Sequence, residues 1–478
     1  MKNAIPIAFL TAGILFFAFN YKKKEKPNVL FILVDDLRPE LGTYGVSHIK
    51  SPNIDKFAAG STVFEQAFCN IPVCGASRAS IMSGIRPGRF RFFSAYDYLN
   101  QHYPEATSMP RVFKENGYTT VSNGKIFHNK DDEKTAWDEI WAPEGLKGAT
   151  YMSKENKELL KVKGQRGNAY EDVSTSDMDY SDGNIAVKAI QDLKKFKQSG
   201  KPFFLAVGFM KPHLPFNAPK KYWEMYDSTK IQFPKNYFQP ETTPKNAYHT
   251  SGELRNYYGV PKKGEIPDAL AKKLIHGYYA SVSYVDAQIG KVLDELRRSG
   301  LEKNTIVVLI GDHGWNLGDH KMWNKHCTFS SSLTATMILK VPQNSQGQRI
   351  KEIVEFVDIF PTLTQLTNIK NPSTLNGESM VPLLENKKRS KDFAISRWAN
   401  GWTIIKDQMY YTEWIDEKDN RRSQMLFDHK TDPLENNNVA EKPAYAEKVA
   451  ELAFLLRKNR GEDFNVDRRK GIDTRPND

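Results

Sequence analysis

Cysteine is scarce in this chain. Only three occur in 478 residues, Cys69, Cys74 and Cys327, and three are too few for a fold held together by disulfides. None of them directly follows the apolar run near the start of the chain, which excludes a bacterial lipoprotein anchor. The composition, 40% hydrophobic and 26% charged residues, is ordinary for a globular protein and excludes a disordered chain.

Long hydrophobic runs are also nearly absent. The one candidate is Ala4 to Phe19, which follows Lys2 and precedes Asn20, Tyr21 and three lysines. A membrane span needs about 20 apolar residues, and this run is somewhat shorter. We therefore predict a secretory signal peptide in residues 1–20, with an uncleaved membrane anchor as the alternative. The expected protein is periplasmic or secreted, and its mature chain has no membrane span.

The sequence contains no internal repeat and no long low-complexity tract. Lysine and arginine number 68 against 57 aspartates and glutamates, and the resulting net charge of +11 suits a polyanionic partner. Nucleic acid would call for a dense basic helix or an interleaved aromatic repeat, and neither is present. We therefore expect no nucleic-acid partner, and another polyanion remains the candidate.

Three continuous apolar runs predict strands buried on both faces of a parallel sheet: Asn28 to Val34, Pro202 to Phe209 and Asn304 to Ile310. Asp35 and Asp36 follow the first run, and Asp312 and His313 come soon after the third. Open α/β sheets hold their ligands at the carboxyl ends of the strands. One such pair could be an ordinary solvated turn, but two together favour a metal site.

The segment from Val73 to Arg89 contains Cys74, two small residues, and then Ser77 and Arg78. We predict that these residues open an amphipathic helical turn. The thiol would then lie at a positively polarised helix N-terminus and be exposed to chemistry. A small buried cysteine before a helix is the commoner reading of this pattern taken alone, so the surrounding motifs have to decide.

Several motifs in order resemble those of the type I sulfatase family. Cys74-Gly75-Ala76-Ser77-Arg78, followed by Ser83-Gly84-Ile85-Arg86-Pro87, resembles its signature, in which the cysteine is oxidised after translation to formylglycine. The segment Tyr118 to His128 and the segment Gly318 to Lys325 resemble two further motifs. Lys211 to Phe216 resembles the iduronate 2-sulfatase branch in particular. The commonest signature has proline where this chain has Ala76, which leaves open which formylglycine-generating maturation enzyme acts.

The resemblance implies an alkaline-phosphatase-like α/β sandwich with a smaller C-terminal α+β subdomain. We expect the catalytic domain in residues 27–385 and an antiparallel-sheet subdomain in residues 386–478, closed by a helix from about Tyr445 to Arg457.

Three further segments have distinct predictions. The apolar pattern from Pro267 to Arg298 predicts a long amphipathic helix, whose tyrosines we take as packing residues. We interpret residues 131–183 as an irregular insertion without chemistry, and the aromatic loops from Tyr222 to Pro261 as a substrate wall.

The resemblance also implies a role for each site residue. Formylglycine at position 74, hydrated to a geminal diol, would attack sulfur, and Arg78 would hold and polarise that diol. Lys125 and Lys325 would neutralise sulfate oxygens, His213 would protonate the leaving oxygen, and His128 would deprotonate the second hydroxyl to expel sulfate. One Ca²⁺ would be held by the remaining set together with position 74: Asp35, Asp36, Cys74, Asp312 and His313.

The expected substrate is a sulfated polysaccharide or oligosaccharide, with uronate-containing polymers favoured by Lys211 to Phe216. Glycosaminoglycan, ulvan and carrageenan types remain open. A phosphatase or phosphodiesterase on the same fold is one alternative, although its nucleophile would normally be serine or threonine. A catalytically silent glycan-binding relative is another, if Ala76 prevents maturation. Pairing of Cys69 with Cys327 also stays open.

Overall fold

The computed structural model describes residues 26–129, 131–144, 150–342, 347–415 and 422–460. The predicted signal peptide lies outside these residues. Within the described ranges, no helix combines the length and the apolar character needed to cross a membrane.

Sixteen strands and thirteen α-helices are formed by the described residues. The strands are β1 (Asn28–Val34), β2 (Thr62–Phe68), β3 (Thr119–Gly124), β4 (Glu139–Trp141), β5 (Tyr170–Glu171), β6 (Phe203–Phe209), β7 (Phe216–Asn217), β8 (Thr305–Gly311), β9 (Asn316–Leu317), β10 (Trp323–Asn324), β11 (Met337–Lys340), β12 (Gln348–Glu355), β13 (Phe393–Trp398), β14 (Gly401–Lys406), β15 (Met409–Ile415) and β16 (Arg422–Asp428). The helices are α1 (Pro52–Ala59), α2 (Cys74–Ser83), α3 (Leu99–His102), α4 (Met109–Glu115), α5 (Lys154–Leu159), α6 (Ser181–Ser199), α7 (Lys220–Trp223), α8 (Gly252–Arg255), α9 (Asp268–Arg298), α10 (Ser330–Leu333), α11 (Ile359–Leu366), α12 (Val381–Leu384) and α13 (Ala446–Asn459).

The main sheet has eight strands in the order β12-β2-β11-β8-β1-β6-β3-β4. The central strand β1 pairs in parallel with both β6 and β8. Every residue of these three strands is buried, as expected when helices cover both faces of a parallel sheet. The three predicted strands are thus confirmed. Strand β11 runs antiparallel to its neighbours β2 and β8, so the sheet is mixed.

The sheet separates two hydrophobic cores, because successive side chains of a strand point to opposite faces. Val29, Phe31 and Leu33 of β1 pack in one core together with residues of α2, α4 and α11. Leu30 and Ile32 pack in the other, with residues of α1, α6 and α9. This arrangement is the predicted α/β sandwich.

Helix α9 spans 31 residues, Asp268–Arg298, with Pro267 at its N-cap, and confirms the predicted long helix. Tyr278 and Tyr284 are fully buried in it, and Tyr279 nearly so. They are packing residues, as predicted. Tyr278 also reaches the site described below.

The C-terminal residues form an antiparallel sheet in the order β13-β14-β15-β16. Helix α13 covers one face, where Leu452 and Leu456 pack against Ile404, Tyr411 and Leu426. The other face packs against the first of the two main cores through residues that include Ile405 and Phe427. The predicted α+β subdomain and its closing helix are therefore confirmed, whereas the exact domain limits 27–385 and 386–478 stay predictions.

Buried charges join this subdomain to the main sheet at the end of β12. Both oxygens of Glu355 are 2.5–2.9 Å from nitrogens of Arg86, and Oε2 is 2.5 Å from Nζ of Lys391. Glu355 Oε1 also accepts hydrogen bonds from the Ile395 backbone and the Asn70 side chain. One fully buried carboxylate thus contacts β13, the segment before it and the segments on either side of α2.

Candidate active site

The carboxyl ends of β1 and β8 lie side by side and carry the predicted acidic residues. The ladder continues past the strand ends, since the backbone N–H of Asp312 donates to the carbonyl of Val34 at 3.1 Å. Asp36 adopts a left-handed conformation with φ of 61°, one that aspartate tolerates better than most residues. Its N–H donates to Asp312 Oδ1 at 3.0 Å, and its carbonyl accepts from the Tyr278 hydroxyl at 2.8 Å. The chain therefore turns sharply with its acidic side chains fixed.

Cys74 is the first residue of α2, at the helix N-terminus as predicted. All ten residues of this helix are buried, so the predicted amphipathic turn is wrong. Small side chains allow the helix to lie inside the protein, and a Cβ on Gly75 would be only 2.0 Å from the carbonyl oxygen of Ala95. The thiol is 3% exposed. Burial, followed by the charge of Asp35, raises its pKa, so the helix terminus does not activate it.

Four of the predicted metal ligands converge. Asp35, Cys74, Asp312 and His313 each offer one ligand atom, and these atoms all lie within 4.8 Å of one another. The Nδ1–H of His313 donates to the Gly314 carbonyl at 3.0 Å, which leaves Nε2 directed toward Cys74, 3.3 Å from its Sγ. Such a second hydrogen bond commonly orients a histidine ligand.

Asp36, the fifth predicted ligand, stands beside this group of four. Its Oδ1 is 3.5 Å from His313 Nδ1, and both this oxygen and Asp35 Oδ1 are buried and have no hydrogen-bond partner among the described residues. Buried carboxylate oxygens in this state fit a hard divalent cation, which prefers oxygen ligands. The Cys74 sulfur occupies the position at which the sequence analysis expects an oxygen of formylglycine. The residues present thus fit a cation, with the imidazole as the less usual calcium ligand.

Arg78 is fully buried and connects the two strand ends. Its Nε donates to Asp312 Oδ2 at 2.9 Å, and its Nη2 is 3.3 Å from Asp35 Oδ1. Its Nη1 donates to the carbonyls of Lys125 and Ile126. Burial alone would raise the pKa of Asp35, but Lys125 and Arg78 outweigh it and hold that pKa well below its usual range. Arg78 therefore helps to keep Asp35 ionised and holds the carboxylates of Asp35 and Asp312 in place.

Lys125 and His128 follow β3. The Lys125 ammonium contacts Asp35 Oδ2 directly. His128 has a buried Nδ1 with no hydrogen-bond partner among the described residues, and its ring meets Tyr96 edge-on at 6.2 Å between centroids. Burial, and then the charge of Lys125, hold the pKa of His128 well below its ordinary value. Its ring is therefore neutral and able to accept a proton.

His213 and Lys325 meet at a carboxylate that the sequence did not indicate. His213 Nε2 is 3.0 Å from Glu253 Oε1, and Lys325 Nζ is 3.0 Å from Glu253 Oε2. Both cations also face Asp36, at 3.9 and 3.3 Å respectively. Burial and the Lys325 charge would lower the pKa of His213, but the carboxylates of Asp36, Asp35 and Glu253 together raise it to about 10.

The structure thus brings the predicted residues together from six separate parts of the chain. A continuous set of contacts joins nine of the ten, and the tenth, His128, is within the electrostatic reach of Lys125 and Arg78. The sequence prediction missed Glu253 and the contact of Tyr278 with the Asp36 carbonyl. Glu253 lies in the loops predicted as a substrate wall, where a single acidic residue gives no periodic or motif signal.

Cys69 and Cys327 are free and buried. Ser332 lies beside both: its carbonyl is 3.6 Å from Cys69 Sγ, and its hydroxyl is 3.0 Å from Cys327 Sγ. The disulfide left open by the sequence is not formed.

Known proteins match both parts of the chain. The family model described as "Sulfatase" matches residues 27–369, and that described as "N-sulphoglucosamine sulphohydrolase, C-terminal" matches residues 318–462. Iduronate 2-sulfatase of Mus musculus is 34% identical over 390 residues, which cover 72% of this chain and 69% of that protein. A protein named "Sulfatase" from Formosa agariphila is 30% identical over 467 residues, 91% of this chain and 87% of its own.

Solved structures share the fold. The structure of BT4656 in complex with D-glucosamine-2-N,6-O-disulfate has a TM-score of 0.75 and 21% identity, and the match covers 94% of this chain and 99% of that one. At this identity the likeness concerns the fold alone. It extends over the main sheet and the C-terminal sheet together.

Proposed function

Because the chain belongs to the sulfatase family and is a sulfatase, we propose that it removes sulfate from a sulfated, uronate-containing polysaccharide or oligosaccharide. The observation that carries the proposal is the convergence of Asp35, Cys74, Asp312 and His313 between the ammonium groups of Lys125 and Lys325. A carboxylate-rich cation site flanked by cationic side chains matches the needs of a sulfate ester. The similarity to iduronate 2-sulfatase supports a uronate-containing substrate.

The mechanism requires two groups beyond the twenty amino acids. One Ca²⁺ would be held by Asp35, Asp36, Asp312, His313 and residue 74, and it supplies Lewis-acid polarisation of a sulfate oxygen. Formylglycine made from Cys74 supplies, when hydrated, an oxygen nucleophile and a second hydroxyl on the same carbon. A formylglycine-generating maturation enzyme is therefore a required partner of this chain.

The side chains of the protein bind sulfate and move protons. Lys125 and Lys325 bind sulfate oxygens, and Arg78 orients the side chain at position 74 together with its two carboxylate partners. His213 gives the proton on Nε2 to the leaving ester oxygen, and the neutral ring of His128 accepts a proton when sulfate is released. The two histidines suit opposite tasks, because their surroundings move their pKa values in opposite directions.

The alternatives have less support. A phosphatase or phosphodiesterase on this fold would normally carry serine or threonine at position 74, and the paired site lysines also argue against it. A silent glycan-binding protein would require Cys74 to remain unmodified. Two measurements, sulfate release and the mass of the peptide that contains Cys74, separate all three functions.

The test is sulfate release from a panel of polymers and oligosaccharides of heparan, dermatan, ulvan and carrageenan type, with phosphorylated analogues as controls. It is combined with the mass of the Cys74 peptide from protein made in the native host. We expect sulfate release from a uronate-containing member and the mass of formylglycine. Phosphate release alone would favour the phosphatase. Binding without turnover, with an intact thiol, would favour the silent relative.

We also propose that the protein acts in the periplasm or outside the cell, where a polymeric substrate is met. The basis is the apolar run Ala4 to Phe19. Mass analysis of the mature N-terminus tests this, since retention of the whole run would favour the membrane anchor.

A further inference from the structure

Glu253 belongs to none of the motifs discussed above and lies on the short helix α8, in the loops between β7 and α9. Its side chain is 13% exposed. One carboxylate oxygen faces His213 Nε2 and the other faces Lys325 Nζ, each at 3.0 Å. Asp36 faces the same two cations from the other side. The carboxylates of Asp36 and Glu253 therefore both face the two basic side chains at this part of the site.

Each nitrogen of the His213 ring has a partner in this arrangement. Nδ1 is 2.5 Å from the Leu214 carbonyl oxygen, and Nε2 is 3.0 Å from Glu253 Oε1. The carbonyl accepts a hydrogen bond from Nδ1, and the carboxylate forms an ion pair with Nε2. The ring is therefore held at both ends.

The backbone around Glu253 is itself well anchored. Arg255, two residues later, donates hydrogen bonds to the carbonyls of Thr250, Pro261 and Gly264. The Ser251 hydroxyl accepts from the backbone N–H of Trp323, at the start of β10. Because Lys325 directly follows β10, the position of Glu253 is fixed relative to Lys325 as well as to His213.

We propose that Glu253 is a positioning residue, whose carboxylate pairs with His213 Nε2 and holds the ring in the site, and that Nε2 turns from Glu253 to the leaving oxygen and protonates it when substrate is bound. This inference rests on the proposed function. When the S–O ester bond breaks, the bonding electron pair stays on the ester oxygen, and the proton from His213 Nε2 turns that oxygen into the hydroxyl of the product sugar. A sugar alkoxide is a poor leaving group, so the reaction depends on the correct direction of this proton.

The test is a double-mutant cycle on a sulfated oligosaccharide that the parent enzyme hydrolyses. The variants are Glu253→Gln, which keeps the shape and removes the charge, His213→Ala, and the two combined. We expect Glu253→Gln to lower kcat by roughly 10- to 100-fold, with a much smaller change in KM. In the His213→Ala background the same substitution should change kcat less than about threefold, because the residue it acts through is gone.

Two further variants test whether the loss is specific. Glu253→Asp keeps the charge with a shorter reach and should restore part of kcat. Glu265→Gln is the matched control, because Glu265 is an exposed glutamate, 80% accessible, that pairs with Lys321 on the surface. It should behave like the parent. Equal thermal midpoints for the parent and Glu253→Gln would show that the fold is intact.

Losses in kcat that multiply in the double variant would overturn the inference, because Glu253 would then act independently of His213. Unchanged kcat in Glu253→Gln would overturn it as well. These outcomes differ from failure of the proposed function, in which the parent enzyme itself would release no sulfate from any substrate.

Discussion

Position 74 combines a buried side chain with reactive neighbours. The thiol is nearly inaccessible, and burial raises its pKa, so it would be almost fully protonated at neutral pH. A protonated thiol is a poor nucleophile. Yet Sγ lies 3.3 Å from His313 Nε2 and within the acidic cluster. This environment suits an oxygen-bearing side chain better than an unmodified cysteine.

The first prediction concerns Cys74→Ser. Serine has nearly the same volume, so the fold and the acidic cluster should survive, but it offers one hydroxyl where the proposed reaction uses two. The variant should bind sulfated oligosaccharide through Lys125, Lys325 and His213 and fail to turn it over repeatedly. Binding is measured by calorimetry and turnover by sulfate release.

Cys327→Ser is the matched control, because Cys327 is equally buried but has hydrogen-bonding neighbours, Ser332 and Asn316, that also suit a hydroxyl. It should keep activity. Multiple turnovers by Cys74→Ser near the parental rate, with an unmodified serine at position 74 by mass, would contradict the formylglycine assignment.

At the scale of elements, the acidic cluster joins two strands and a helix. Asp35 follows β1, Asp312 follows β8, and Cys74 begins α2. We therefore predict that chelation abolishes activity and lowers the thermal midpoint, and that Ca²⁺ restores both. A ligand at 100 times its dissociation constant stabilises by about 2.7 kcal/mol, a shift that calorimetry detects.

Asp312→Asn should lose most of this calcium-dependent shift. Asp294→Asn is its control, because Asp294 is an exposed aspartate on α9 that pairs with Arg297. It should keep the shift. Full activity after exhaustive chelation would remove the cation from the mechanism.

The junction at the end of β12 makes a prediction about stability and pH. Burial would raise the pKa of Glu355, but Arg86 and Lys391 outweigh it and hold the pKa well below its usual 4.5. The ionised carboxylate therefore stabilises the fold above about pH 4.5, and this stabilisation is lost as pH falls toward the folded-state pKa. Glu355→Gln should cost roughly 3–5 kcal/mol at pH 7, since it removes the carboxylate partner of Arg86 and leaves Lys391 with Asp358 alone.

Urea unfolding at a series of pH values measures this effect. The stability difference between parent and Glu355→Gln should shrink below about pH 4.5, because the unfolded parent then binds a proton at Glu355 while the folded parent keeps the charge down to a lower pH. Glu352→Gln, an exposed glutamate on the same strand, should change stability little at any pH. A difference that stays constant with pH would mean that the charge is not what stabilises the junction.

Particular elements explain which features could be predicted from sequence. The strands β1, β6 and β8 are continuous apolar runs, so the local sequence of each one is enough to predict that it is buried. Helix α2 was misjudged because its small residues have no amphipathic period, and only the packing of Gly75 against Ala95 shows why it is buried. Asp35, Asp36, Asp312 and His313 were found because they follow buried strands, and the other site residues were found through family motifs. Glu253 lies outside them, and its contacts join parts of the chain that are distant in sequence.

For the whole molecule, the net charge of +11 predicts a salt-dependent reaction with a polyanionic substrate. The Debye length is about 8 Å at physiological ionic strength, so added salt screens the attraction that brings polymer and protein together. kcat/KM on a sulfated polymer should fall as salt rises, with kcat nearly constant.

A monosulfated monosaccharide is the control, and its kcat/KM should depend less on salt because few charges face the protein at once. An equal salt dependence of kcat/KM for polymer and monosaccharide would mean that only the sulfate-binding residues attract the substrate.

The contact between β13 and the segment before Cys74 affects the order in which the chain can fold during its synthesis. Arg397 N donates to the Asn70 carbonyl at 3.0 Å, and Ser396 donates to the carbonyl of Cys69, so this segment gains its final support only from residues some 320 positions later in the chain. At about 5–20 residues per second, synthesis of that stretch takes tens of seconds. During this interval the segment before Cys74 lacks this support. The maturation enzyme that we propose would thus meet position 74 before the completed protein buries the side chain.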